Sequence, residues 1–200
     1  MNNSITLITS LYKSEEYLKK YIRRIKKNAD FLLKNNIDFE IVIIGNDSTV
    51  SEKQELEKFE SLNKRIKIFY VSREPLYASW NRGVELAKNE ILGFWNVDDI
   101  RYPQAIVDGI RLVKQGAELV YFPFIIKWYL NFLGFSVMVR KRTIHPPVFD
   151  REEFIHRLLR EKSLQGQCTV DHFLFLQNLF IEKLGLLMNN LKSLEILTGA

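Results

Sequence analysis

Short apolar runs alternate with longer amphipathic segments in this chain, and this alternation constrains its fold more than any other feature. The runs are strongly apolar, whereas the segments between them repeat apolar residues at helical spacing. Strands that alternate with helices usually pair in parallel, and the helices cover both faces of the sheet. We therefore predict an α/β fold with a mainly parallel central sheet, whose first strands are residues 5–10, 39–44, 66–71 and 91–95.

Amphipathic helices are predicted between and after these strands. The first helix begins near Ser14 and ends around Asn35. Its apolar face consists of residues 18, 21, 22, 25, 29, 32 and 33. Ser51 and Gln54 form a capping-box pattern that predicts the start of the second helix. Further helices are predicted over residues 78–88 and 103–116.

The pattern becomes less regular after Pro146 and Pro147. Asp150 and Glu153 there predict the start of another helix. Further predictions are a strand over residues 173–176 and one or two helical turns over residues 179–184.

The apolar stretch of residues 119–139 is long enough to cross a bilayer, but its composition argues against a membrane span. Lys127 lies near its centre, where insertion would cost roughly 2.5–3.5 kcal/mol. The run is also interrupted by Pro123, Asn131 and Gly134. We predict two buried strands with a turn between them. The alternative is peripheral contact with the cytoplasmic face of a membrane through Trp128, Tyr129 and Phe132.

The length and the cysteine content indicate one domain in a reducing compartment. The 200 residues, of which 46% are hydrophobic, suffice for one buried core, so we predict a single domain over residues 1–200. Cys168 is the only cysteine, which excludes a disulfide within the chain. Residues 1–5 lack the basic region and cleavage site of a signal peptide, and a cytoplasmic location is therefore expected.

The net charge of +5 fits an anionic partner, such as a phosphorylated ligand, a nucleic acid or an acidic membrane surface. Much of the positive charge lies on the first predicted helix, at Lys19, Lys20, Arg23, Arg24, Lys26 and Lys27. Because these residues alternate with apolar ones at helical spacing, we interpret them as a solvated helix face. We expect no nucleic-acid partner, although this basic face keeps nucleic-acid binding as an alternative.

Polar clusters directly follow three of the predicted strands. They are Ser10–Tyr12, Asn46–Ser48 and Asn96–Asp99. Ligands of open α/β sheets bind in the crevice beyond the carboxyl ends of the strands, where loops supply the polar groups. The three clusters are therefore predicted to converge on one ligand site.

Asp98 and Asp99 are the most informative pair in these clusters. Two adjacent carboxylates after an apolar strand concentrate negative charge, and a divalent cation is the natural partner. Magnesium is usually held by one or two carboxylates together with substrate phosphates. The alternative is structural, because the two aspartates also precede Pro103 and could cap the next helix.

Four segments in a fixed order carry a family resemblance. They are Thr9–Leu18, Gly45–Ser48, Tyr77–Gly83 and Ile91–Asp99. In this order they resemble the strand with a following Tyr-Asn pair, the Asp-Asp-Gly-Ser strand end, the Asn-x-Gly helix and the Asp-x-Asp-type turn of the family 2 glycosyltransferases, which have the GT-A fold. The resemblance implies a nucleotide-sugar-binding half over residues 1–125 and an acceptor-side half over residues 126–200, which is expected to be incomplete.

The resemblance also implies roles for individual residues. The donor would be a UDP- or GDP-linked sugar, with Mn²⁺ or Mg²⁺ as the cofactor. Ser10 and Tyr12 would border the nucleotide base, with the loop of Asp47 alongside. Asp98 would approach the ribose and the diphosphate, and Asp99 would bind the metal together with Asp98. Asn81 would lie near the donor sugar.

The sequence departs from the family pattern at the end of the second strand. The two leading aspartates of the family fall on Gly45 and Asn46, and the first of these usually helps to read the base. Asp47 is the remaining candidate for that role. In the first motif, Lys13 replaces the asparagine that follows Tyr12.

The resemblance further implies an inverting transfer, in which a carboxylate acts as general base on an acceptor hydroxyl. Residues 180–185 resemble the segment that precedes the family's base, but Ala200 occupies the expected acidic position. Asp171 is the candidate base, with a turn or cap role as its alternative. A catalytically impaired nucleotide-sugar-binding module is the second hypothesis. The acceptor, whether a glycan, a lipid-linked compound or a protein, stays open.

Overall fold

The structure is a computed structural model and describes residues 3–61, 63–132, 135–145 and 173–177. The chain divides into two compact units. The first contains residues 1–120 and 174–200, and the second contains residues 121–173. The prediction of a single domain over residues 1–200, with halves that meet at residue 125, stays a prediction.

Eight strands and four helices are described. The strands are β1 (Ser4–Leu11), β2 (Asp38–Asn46), β3 (Ile66–Val71), β4 (Ile91–Phe94), β5 (Leu119–Tyr121), β6 (Phe124–Phe132), β7 (Phe135–Ile144) and β8 (Phe173–Gln177). The helices are α1 (Glu15–Lys34), α2 (Val50–Ser61), α3 (Leu76–Leu86) and α4 (Pro103–Lys114). The predicted strands and helices of the first 116 residues are thus confirmed, with shifts of a few residues at their ends.

The central sheet has the strand order β3-β2-β1-β4-β8-β5. Strand β1 pairs in parallel with β2 and β4, and β2 pairs in parallel with β3. Strand β8 runs antiparallel to β4, and it confirms the strand predicted over residues 173–176. Consecutive residues of β1 and β2 are buried, as in strands covered on both faces, and the mainly parallel sheet is therefore confirmed.

Helix α1 buries a face that differs slightly from the predicted one. Leu18, Tyr21, Ile25, Asn28, Ala29 and Leu32 are buried. Leu33 was predicted on this face but is 44% exposed. Asn28 takes a core position because its amide Nδ2 donates hydrogen bonds to the carbonyl oxygens of Arg24 (2.9 Å) and Arg101 (3.3 Å). The helical period therefore predicted the helix and most of its buried face, whereas the burial of Asn28 depends on hydrogen bonds that the period does not show.

The capping box of α2 lies two residues earlier than predicted. The Glu52 amide donates to Thr49 Oγ1 (3.2 Å), and the Thr49 amide donates to the Glu52 carboxylate (3.0 Å). The prediction of a box at Ser51 and Gln54 was therefore wrong. Glu52 is fully buried and also accepts a hydrogen bond from the Ser14 amide, so a contact across the fold fixes this register.

The second unit contains the antiparallel hairpin of β6 and β7. Two strands were correctly predicted in residues 119–139, but their predicted burial was wrong. Every described residue of β7 except Ile144 is exposed, because a two-stranded ribbon leaves both faces open unless another layer covers it. No helix in the described part of the chain has the length and apolar character required to span a bilayer.

Several predictions lie outside the described residues. They are the helix start at Asp150 and Glu153, the helical turns of residues 179–184, and the candidate base Asp171.

Candidate functional site

A cleft of about 310 Å³ opens at the carboxyl ends of the parallel strands. It is lined by Ser10, Tyr12, Ser14, Asn46, Arg73, Leu76, Asn96, Val97 and Asp98. The sheet thus brings together Ser10, Tyr12 and Asp98, which the sequence predicted to share a site. Of the other predicted residues, Asp99 adjoins Asp98, and Asp47 and Asn81 do not line the cleft.

The loop after β1 is tied to the start of α2. The Tyr12 amide donates to Ser14 Oγ (3.1 Å), and the Ser14 amide donates to the buried Glu52 carboxylate. Lys13, between them, has a φ of 49°, a left-handed conformation in which asparagine is enriched. The loop therefore holds the Tyr12 ring at the cleft, and the asparagine of the family motif at position 13 has a conformational reason.

Arg73 is a cleft residue that the sequence reasoning missed. Its guanidinium carbon lies 3.5 Å from the centroid of the Tyr12 ring, which is a close cation–π contact. Arg73 follows the last residue of β3 by two positions, so it lies at the same sheet edge as the three predicted clusters. That position was the signal that could have identified it.

Asn46 holds the loop that carries Arg73. Its side-chain Oδ1 accepts a hydrogen bond from the Glu74 amide (3.0 Å). Its Nδ2 donates to the Glu74 carbonyl oxygen (2.7 Å) and to Ser79 Oγ (3.1 Å). Both ends of the Asn46 amide are therefore engaged within the protein, and its role in the cleft is to position the β3–α3 loop.

Gly45 leaves no space for a side chain at the position of the family's leading aspartate. A Cβ atom there would lie 2.7 Å from Ser48 Oγ and 2.7 Å from Cδ1 of Tyr70. Asp47 is exposed and has a φ of 53°, which fits its alignment with the glycine of the family motif. The predicted role of Asp47 in base binding stays a prediction.

The turn that carries Asp98 and Asp99 is fixed through its backbone. Arg24 on α1 donates from Nη1 to the carbonyl oxygens of Asp98 (3.1 Å) and Asp99 (3.0 Å). The Trp95 indole N–H also donates to the Asp99 carbonyl oxygen (3.2 Å). Because these bonds use carbonyl oxygens, they hold the turn in place without occupying either carboxylate.

Arg101 supplies a largely buried positive charge beside Asp99. Its Nη2 lies 3.8 Å from the Asp99 carboxylate and donates a 2.8 Å hydrogen bond to the Phe94 carbonyl oxygen. Burial lowers the pKa of the Arg101 guanidinium, whereas the nearby Asp99 carboxylate opposes that shift. The charge of Asp99 is therefore partly balanced by the protein itself.

A buried cluster of Thr9, Tyr21 and Trp95 lies where the turn of Asp98 and Asp99 begins. Thr9 Oγ1 donates to the Trp95 carbonyl oxygen (2.7 Å) and shares a hydrogen bond with the Tyr21 hydroxyl. The Tyr21 and Trp95 rings meet edge to face, with centroids 5.4 Å apart. Burial raises the pKa of the Tyr21 hydroxyl, which keeps it neutral. The residue that precedes the turn, Trp95, is therefore held by both packing and hydrogen bonding.

The residues of this turn suit a metal ion that is shared with a phosphate ligand. No group of three or more His, Cys, Asp or Glu side chains with metal-binding geometry occurs among the described residues. A pair of carboxylates is, however, the donor set with which magnesium is held when substrate phosphates supply further ligands. Asp98 and Asp99 fit that arrangement.

The residues of the cleft fall within a known sequence family. The family model of glycosyl transferase family 2 matches residues 6–162, which include every residue that lines the cleft. The chain belongs to glycosyl transferase family 2. As expected for a family 2 glycosyltransferase, its parallel sheet flanked by helices is the α/β architecture of the GT-A fold, and the predicted fold class is confirmed.

Three relatives of this family 2 chain are informative. EpsH of Bacillus subtilis (strain 168), a protein named as a glycosyltransferase, is 23% identical over 117 residues, which cover 58% of the chain and 32% of EpsH. Residues 1–349 of TarS of S. aureus, in complex with UDP-GlcNAc, are 18% identical, with a TM-score of 0.44 over 57% of the chain and 32% of that segment. The mannosyltransferase PcManGT of Pyrobaculum calidifontis in complex with GDP-Man and Mn²⁺ is 15% identical, with a TM-score of 0.43 over 55% of the chain and 31% of that protein. The chain thus covers about a third of the length of EpsH and of PcManGT, and 20% of the longer TarS structure.

Proposed function

We propose that this chain is the donor-binding part of a metal-dependent, inverting glycosyltransferase. The cleft would hold a nucleoside diphosphate sugar. The observation that carries this proposal is the convergence of Ser10, Tyr12, Arg73 and Asp98 on one cleft at the carboxyl edge of the parallel strands. In α/β sheets this edge is where nucleotides bind.

The two sides of the cleft suit different parts of the donor. Tyr12 and Arg73 form an aromatic and cationic surface on one side, against which a base can stack and toward which a diphosphate is attracted. Asp98 lies on the other side, at the end of β4, where it can contact the ribose and a metal-bound diphosphate. Asn81 is half-buried on α3, and this proposal includes its predicted role near the donor sugar.

Asp98 and Asp99 would hold Mn²⁺ or Mg²⁺ against the diphosphate. When bound, the ion acts as a Lewis acid that stabilises the negative charge developing on the departing phosphate. Arg24 contributes by fixing the backbone of the turn, and Arg101 by holding Asp99 from the buried side. The carboxylates are therefore organised before the ligand arrives, which lowers the reorganisation that binding requires.

Titration calorimetry with UDP and GDP, each with and without Mn²⁺, tests this proposal. We expect affinity to depend on Mn²⁺. We also expect Asp99→Asn or Asp98→Asn to weaken Mn²⁺-dependent binding by at least roughly tenfold, or about 1.4 kcal/mol, because a charged metal ligand is lost. The matched control is Asp30→Asn, which neutralises an exposed aspartate of α1. Unchanged affinity and an unchanged Mn²⁺ requirement in both site variants would refute the proposal.

A further inference from the structure

The far end of the β6–β7 hairpin exposes large apolar side chains on both strands. They are Tyr129 (55% exposed), Leu130 (60%), Phe135 (75%), Val137 (58%), Met138 (49%) and Val139 (59%). We call these six residues the apolar end. Tyr129 lies opposite Met138 and Leu130 lies opposite Val137, so exposed apolar residues adjoin across the two strands. Clustered apolar surface on a protein often marks an interaction site.

Four basic residues lie next to the apolar end, toward the base of the hairpin. They are Lys127, Arg140, Lys141 and Arg142, which we call the basic belt. Residues 121–145 contain no aspartate or glutamate, so no acidic residue of this segment balances the belt. The order along the hairpin is therefore an apolar end followed by a belt of positive charge.

The pairing of the two strands concentrates that charge. Lys127 lies directly opposite Lys141, and Arg142 lies opposite Ile126. Like charges in directly opposite positions destabilise a strand pair. Arg140 stacks on the Trp128 ring, with its guanidinium carbon 5.2 Å from the ring centroid. An anionic surface against the belt would relieve the repulsion between the two lysines, which indicates that the partner is negatively charged.

The distance between the belt and the apolar end matches the depth of a lipid interface. The three residues from Lys127 to Leu130 span about 10 Å of extended chain. Apolar groups of peripheral proteins reach roughly 5–10 Å into the boundary between headgroups and acyl chains. Leu130 can therefore enter this boundary while Lys127 stays at the phosphates. Trp128 and Tyr129 lie between them, at the level where such rings are enriched.

We propose that the β6–β7 hairpin binds the surface of an anionic membrane. The apolar end enters the interface, and the basic belt contacts lipid phosphates. An acidic protein would neutralise the belt, whereas a lipid surface offers phosphates and acyl chains at the spacing that separates the belt from the apolar end. This inference does not depend on the proposed nucleotide site.

Sedimentation of the full chain with lipid vesicles tests the inference. We expect binding to phosphatidylcholine vesicles that contain phosphatidylserine, weakening as salt is added, and little binding to pure phosphatidylcholine vesicles. The belt variant Lys141→Glu with Arg142→Glu should lower partitioning by at least roughly tenfold. The matched control, Lys26→Glu with Lys27→Glu on exposed positions of α1, changes the net charge equally and should shift partitioning by less than about threefold.

A second variant tests insertion separately from charge. Leu130→Ser with Val137→Ser replaces an exposed cross-strand pair, so we expect the circular dichroism spectrum to stay unchanged. This variant should abolish the blue shift of tryptophan emission that vesicles cause, because Trp128 is exposed whereas Trp80 and Trp95 are buried in the core. The proposal is overturned if neither vesicle type binds, or if the α1 control loses as much binding as the belt variant. It is also overturned if polyglutamate competes fully with vesicles and no blue shift occurs, since an acidic protein would then be the better partner.

Discussion

At the scale of single residues, the described lining of the cleft contains two charged side chains, Arg73 and Asp98. Asp98 supplies the only carboxylate among the described lining residues. Position 45, where the family carries an aspartate, is a glycine packed against Tyr70. The side-chain amide of Asn46 is hydrogen-bonded to the backbone of Glu74 and to the hydroxyl of Ser79. The described lining near Tyr12 and Arg73 therefore contains no carboxylate that could accept a hydrogen bond from the imide N–H of uracil.

We accordingly expect weak discrimination between uracil and cytosine. UDP and CDP should bind with affinities within about fivefold of each other, a difference of ~1 kcal/mol. Arg73→Ala should weaken both by roughly three- to tenfold, because it removes the cation that stacks on Tyr12. Arg65→Ala, at the amino end of β3, is the control. A competition assay with both nucleotides measures the ratio of the UDP and CDP affinities. A preference above roughly thirtyfold for either base would contradict the predicted weak discrimination.

At the scale of elements, the sequence was sufficient to predict the strands and helices that a local residue pattern determines. The alternation of apolar runs predicted β1 to β4 because parallel strands buried on both faces are continuous apolar runs. The polar clusters that follow strands then located the cleft. The contacts that organise it were not predictable, because Arg24 reaches Asp98 across 74 residues and Glu52 reaches Ser14 across 38. Burial of the β6–β7 hairpin also depends on parts of the chain that are distant in sequence. The residue pattern and composition therefore predicted its strands but not their exposure.

Helix α1 is expected to influence the proposed metal site through Arg24. Arg24→Met should lower the affinity for Mn²⁺ in the presence of UDP by roughly three- to tenfold, since hydrogen bonds from a charged donor to the Asp98 and Asp99 carbonyls are lost at a partly exposed site. Arg23→Met removes the same charge from an exposed position of α1 and should have little effect. Electron paramagnetic resonance of free Mn²⁺ measures the affinity. Equal losses in both variants would indicate a general charge effect and no role for the turn.

At the scale of the whole molecule, the residues that line the cleft all lie in the first unit, and the acceptor-side half over residues 126–200 is a prediction from the sequence. The chain matches about a third of the length of two relatives, with 32% of EpsH and 31% of PcManGT covered. Transfer to an acceptor, the identity of that acceptor and the candidate base Asp171 are therefore proposals about the complete activity. Donor binding and sugar transfer must be measured separately.

Asp171→Asn provides that separation. If Asp171 is the general base, this variant should reduce transfer to an acceptor by at least about a hundredfold, while nucleotide affinity stays unchanged. A matched change is Asp150→Asn, in the same part of the sequence. Release of nucleoside diphosphate with and without an acceptor measures both steps. Absence of transfer in the unaltered chain, with donor binding intact, would instead support the catalytically impaired binding module.

The largely buried guanidinium of Arg101 has a consequence for the turn of Asp98 and Asp99. Because Arg101 lies beside Asp99 and is itself anchored to Phe94, the protein carries an internal counter-ion for part of the acidic turn. An isolated pair of carboxylates would repel each other whenever no cation lies between them. Because Arg101 balances part of this charge within the folded chain, we expect the turn to keep its conformation when the proposed metal ion is absent.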